Sequence, residues 1–148
     1  MSKAEELFNN AQKNNIAQDF VKAANLCIIE DKYNLAAESF ERAGNIYYIN
    51  GDKYLAANTY VRAVHNYIKD NKFKLSQDLL NITINIYLED DKFASAAKQL
   101  DNLGDLYVKD KEIILAIESY IKANKYFCVD NSSSTGCSCL YKASQLAI

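Results

Sequence analysis

The sequence has no proline, one histidine and only four glycines in 148 residues. So few glycines leave no phosphate-cradling loop, and a lone His65 excludes the paired-histidine helix motif of zinc hydrolases. No apolar run approaches the roughly 20 residues that a membrane-crossing helix needs. The opening Met1-Ser2-Lys3-Ala4-Glu5-Glu6 is too acidic and polar to start a secretory signal, so a cytosolic protein with at most peripheral membrane association is expected. Basic residues number 17 against 19 acidic ones, so the total charge does not point to nucleic acid.

Cysteine is scarce as well. Cys27, Cys128, Cys137 and Cys139 follow no common zinc or redox spacing and read as free thiols of a reducing compartment. A metal site on Cys128, Cys137 and Cys139 would lack a nearby fourth ligand, because His65 is far away in sequence. His65 itself sits beside Val64 with no Cys or Asp spaced to partner it, and Glu89-Asp90-Asp91 forms a loop cluster rather than a catalytic cleft. Neither an enzyme nor a cofactor is expected.

What remains is 49% hydrophobic and 24% charged, the balance of a folded chain of one domain spanning 1–148. It is rich in Asn, Lys, Ile and Tyr, a codon-level bias that removes any prion-like meaning from the asparagines. Within it runs a repeat. Tyr47, Tyr67, Tyr87, Tyr107 and Phe127 recur every 20 residues. Three further columns keep the same register: Ala36, Ala56, Ser76, Ala96 and Ala116; Phe40, Tyr60, Leu80, Leu100 and Tyr120; Ala43, Ala63, Thr83, Leu103 and Ala123. Within each unit these positions fall at i, i+4, i+7 and i+11, one face of an α-helix and never one face of a strand.

Short polar joints separate the units: Asp31-Lys32, Asn50-Gly51-Asp52-Lys53, Asp70-Asn71-Lys72, Asp90-Asp91-Lys92 and Lys109-Asp110-Lys111. Their Asp and Asn residues are expected to cap the following helix, and Gly51 to end the preceding one. The reading places helices over 3–14, 16–30, 33–49, 54–69, 73–88, 93–109 and 113–127, and an eighth over 137–147. The small polar residues of 128–136 predict one long flexible loop. Small residues facing large rings let neighbouring helices approach closely. The expected fold is therefore an all-α, right-handed superhelical solenoid of antiparallel hairpins, about eight helices in all.

The pattern is not the 34-residue tetratricopeptide repeat with its closing proline. Phe20-Val21-Lys22-Ala23-Ala24-Asn25, Ala36-Ala37-Glu38-Ser39-Phe40-Glu41-Arg42-Ala43-Gly44-Asn45 and Phe93-Ala94-Ser95-Ala96-Ala97-Lys98 resemble the soluble NSF attachment protein family. Gly104-Asp105-Leu106-Tyr107, Ala116-Ile117-Glu118-Ser119-Tyr120 and Cys139-Leu140-Tyr141-Lys142 continue the resemblance in order. It implies an adaptor that binds SNARE helical bundles, or another coiled coil, in vesicle trafficking. Basic residues on a concave face would make the contact: Lys98 foremost, Lys69 and Lys142 at basic positions, and Lys92 where the family has Arg. Ser138 replaces another contacting lysine.

Two departures limit the expectation. Gln12-Lys13-Asn14-Asn15 stands where the family carries an apolar membrane loop, and the family continues beyond Ile148 into a bundle that engages the NSF ATPase. Direct NSF engagement is therefore not expected. The alternative is a generic helical-repeat scaffold with an unrelated partner. The apolar side of Leu140, Ala143, Leu146 and Ala147 would lack a capping helix, so either self-association through this end or a frayed last helix is expected.

Overall fold

The computed structural model describes residues 1–148 and contains eight α-helices and no strand. They are α1 (Lys3–Asn14), α2 (Ala17–Ile29), α3 (Tyr33–Ile49), α4 (Lys53–Lys69), α5 (Phe73–Glu89), α6 (Phe93–Lys109), α7 (Ile113–Val129) and α8 (Ser133–Leu146). None is long and apolar enough to cross a membrane.

The 20-residue period has a backbone cause. Asp31, Gly51, Asn71, Asp91, Lys111 and Asn131 all take positive φ, directly after a helix ends. At each, the next N–H donates back to the carbonyl five residues earlier: Lys32 to Cys27, Asp52 to Tyr47, Lys72 to Tyr67, Lys92 to Tyr87, Glu112 to Tyr107 and Ser132 to Phe127, at 2.7–2.9 Å. The left-handed residue itself bonds the carbonyl three back at 3.0–3.2 Å. This is the Schellman closure, which satisfies the carbonyls left open at a helix end. From α3 onward the carbonyl captured five residues back belongs to the aromatic column, Cys27 holding that place in α2, so ring position and turn position repeat together.

Two sequence expectations are corrected here. The joint Asp and Asn residues do not cap α3, α4, α6 or α7 by their side chains, whereas Ser2 does cap α1, accepting from the Glu5 N–H at 3.2 Å. Asp31, Asn71, Asp91 and Asn131 instead terminate the preceding helix, because a short polar side chain tolerates the left-handed region. Residues 128–136 are not a long loop either. Helix α7 continues through Val129 and α8 begins at Ser133, with the same turn between them as at the five joints from Asp31 to Lys111. Composition suggested a loop, but the Phe127 register dictated a turn.

The residues group into two compact units, Met1–Leu79 and Leu80–Ile148, with the boundary inside α5. In the first unit α1 packs on α2, α2 on α3 and α3 on α4; in the second α6 packs on α7 and α7 on α8. The small columns are fully buried and the large column nearly so, with Phe40 and Leu80 at 0% exposure. Burying each such side chain contributes roughly 1.5–3 kcal/mol. Phe8 meets Phe20 edge to face at 6.0 Å near the start of the first unit. At the other end of the chain Ala143 is buried on α8, contrary to the uncovered side expected of it, whereas Leu140 and Ala147 are exposed.

Candidate functional site

Each unit contains one hairpin built around the same interlock. In the first, a Cβ added to Gly44 of α3 would stand 2.6 Å from the Tyr60 ring of α4; in the second, one added to Gly104 of α6 would stand 2.5 Å from Tyr120 of α7. Real Cβ atoms do not approach that closely, so glycine is what lets the ring lie on the helix backbone. The ring's hydroxyl then donates to the next residue, Tyr60 to Asn45 Oδ1 and Tyr120 to Asp105 Oδ1, both at 2.5 Å.

Beside each interlock is an open groove of similar size. The first holds about 470 Å³ and is lined by Asn34, Glu38, Glu41, Arg42 and Asn45 of α3, Tyr67 of α4 and Leu75 of α5. The second holds about 480 Å³ and is lined by Ala94, Ser95, Lys98 and Asp101 of α6, Phe127 of α7 and Thr135 of α8. Adding sixty to 34, 38, 41, 67 and 75 gives 94, 98, 101, 127 and 135, so the two are the same place in the repeat. Their chemistry differs. Glu38 becomes Lys98, Tyr67 becomes Phe127 and Leu75 becomes Thr135.

In the first groove Tyr67 donates its hydroxyl to Glu41 at 2.6 Å, and Glu38 pairs with Arg42 at 3.1 Å. Burial, followed by the bond to Glu41, pushes the Tyr67 phenol well above its ordinary range. In the second, the carboxylate at the Glu41 position, Asp101, is met by Lys142 of α8 at 3.0 Å. Lys142 also reaches Asp105 at 3.5 Å and lies 5.3 Å from the centre of the Tyr120 ring. Burial works against its charge, but the bonds to Asp101, with Asp105 behind, outweigh this and hold its pKa above the usual lysine value. Cys139 lies nearby at 2% exposure; burial and the adjacent Asp101 raise its thiol to about 11.

The four lysines singled out in the sequence have different settings. Lys98 is exposed on the rim of the second groove. Lys142 is half-buried and bound to Asp101 and Asp105, and Asp101 also lines the groove that Lys98 rims. Lys69 is exposed at the end of α4, 5.1 Å from the Tyr33 ring centre. Lys92 is exposed at the N-cap of α6, where its carbonyl accepts from the Ala96 N–H. The carboxylates Glu41, Asp101 and Asp105 were missed by a search along the 20-residue columns. The recurrence of Gly44-Asn45 as Gly104-Asp105, with a tyrosine sixteen residues after each glycine, was the signal for them.

Of the cysteines, Cys27 and Cys139 are buried and Cys128 and Cys137 exposed, all with free thiols. No three His, Cys, Asp or Glu side chains are grouped so as to hold a metal ion, and the structure contains no catalytic constellation. A family model described as soluble NSF attachment protein, SNAP, matches residues 1–148. No curated protein matches the chain.

Proposed function

The chain belongs to the soluble NSF attachment protein family, and from that premise we propose that it is an adaptor whose exposed lysines bind the acidic surface of SNARE helical bundles. The observation that carries the reading is the full-length family match, joined to the setting of Lys98. Its ammonium stands exposed beside a groove floored by Phe127 and Ala94, which suits a partner helix carrying an acidic residue next to an apolar one. Lys69 and Lys92 extend the basic surface within their own units, and Lys142 shapes it from α8. Attraction between a basic surface and an acidic rod acts at long range and weakens with salt.

Pull-down with assembled SNARE complex tests this. Binding is expected at low salt, with a loss of about tenfold in Lys98→Glu and a further fall as salt is raised. Binding indifferent to both changes, or none at all, would leave a helical-repeat scaffold for a different protein, since a fold does not fix a partner.

A further inference from the structure

We propose that the groove on α3, α4 and the start of α5 is a docking site for a lysine or arginine side chain of a partner protein, held as Lys142 is held sixty residues later. The second unit shows the occupied arrangement from within the chain. There an ammonium sits on the carboxylate of Asp101, reaches Asp105 and covers the Tyr120 ring, which in turn lies on Gly104. The first unit has every fixed part of that arrangement: the Glu41 carboxylate, the Asn45 oxygen and the Tyr60 ring on Gly44. It has no counterpart of Lys142 in the sequence. Position 82, which corresponds to Lys142, is Ile. Glu41 accepts the Tyr67 hydroxyl at 2.6 Å. Arg42, the one cation of the lining, is committed to Glu38 at 3.1 Å and lies over the Phe8 ring at 5.5 Å.

Charge sign favours the same occupant. The groove carries Glu38 and Glu41 against one arginine, with Asn34 and Asn45 as further acceptors, so an incoming cation finds a residual negative charge and several oxygens. The exposed Leu75 on its wall suits the aliphatic stem of a lysine or arginine. This surface is opposite in sign to the Lys98 groove and stands or falls independently of SNARE binding.

The test is a titration of the whole protein with an acetylated, amidated tetralysine peptide, followed by amide chemical shifts. Saturable shifts are expected at residues 38–45 and at Tyr67, with tetraglutamate giving none there. Glu41→Gln should weaken binding about tenfold or more, the scale of a lost charge-assisted hydrogen bond. Asn45→Lys, which supplies a cation from within, should block it, while Glu118→Gln, which removes the same charge from an exposed site in the other unit, should leave it unchanged. Binding that Glu118→Gln weakens as much as Glu41→Gln, shifts spread over both units, or no binding would each overturn the proposal.

Discussion

The α3–α4 hairpin and the α6–α7 hairpin use one packing solution and two electrostatic ones. Both lay a tyrosine on a glycine and turn its hydroxyl toward the following side chain. They differ in what answers the carboxylate one turn earlier. Glu41 receives a hydroxyl from Tyr67, a partner contributed by the hairpin itself, whereas Phe127 offers no hydroxyl and Asp101 takes Lys142 from the next helix instead. Backbone approach cannot vary between copies without losing the helix pair, while a partly solvated carboxylate tolerates any donor that reaches it. Function can diverge at the second kind of position without disturbing the first.

Substitutions at the shared feature should have the largest effect and be alike in both hairpins. Gly44→Ala and Gly104→Ala each place a methyl inside a tyrosine ring, and each is expected to lower stability by about 1–3 kcal/mol in urea titration. The matching Tyr60→Leu or Tyr120→Leu should relieve much of that cost in the double variant. Additive losses, or a loss in only one hairpin, would break the equivalence.

A smaller effect should separate the two. Lys142→Met leaves Asp101 without its cation and is expected to cost about 1 kcal/mol, reduced by the partial exposure of both groups. Glu41→Gln keeps an acceptor for Tyr67 and should cost about 0.5 kcal/mol or less by the same measurement. Equal losses would mean that the ion pair adds nothing beyond the hydroxyl bond.

The turns that end α3 and α6 offer a finer comparison. Gly51 and Lys111 occupy the same left-handed position, but only glycine does so without steric cost. Lys111→Gly should raise stability by about 0.5–1 kcal/mol, and Gly51→Ala should lower it by a similar amount. A null result for both in thermal melts would mean that the six closures are not strained at their non-glycine members.

A last comparison shows only at alkaline pH and concerns Cys139, whose counterpart sixty residues earlier is Leu79. A thiol whose folded pKa is raised from 9.0 to about 11 contributes stability that is fully present below the lower value and is lost as pH rises through the higher. Between about pH 9 and 11 the wild type should therefore lose more stability than Cys139→Ala, and parallel curves would contradict that placement of the thiol.

Much of this was legible in the sequence because its causes are local. Tyr67, Tyr87 and Phe127 are buried, Tyr47 and Tyr107 half-buried, and all five supply the carbonyl that closes a turn, so one periodic signal reported two structures. The same signal would have corrected the loop at 128–136, where small polar residues outweighed the position of Phe127. The carboxylates of the two grooves were hidden because they lie outside those columns and share type only across three helices, Glu41 with Asp101 and Asn45 with Asp105.

The number of helices, their boundaries within a few residues and their inward faces are fixed by side-chain spacing along a 3.6-residue turn, a property of each segment alone. Whether Lys142 would face solvent or Asp101 depended on interactions that form only when helices far apart in sequence pack side by side. A hydrogen bond spanning 41 residues leaves no periodic trace along the chain. Its partners are chosen by the geometry of the packed hairpins, and the sequence states only that both were present.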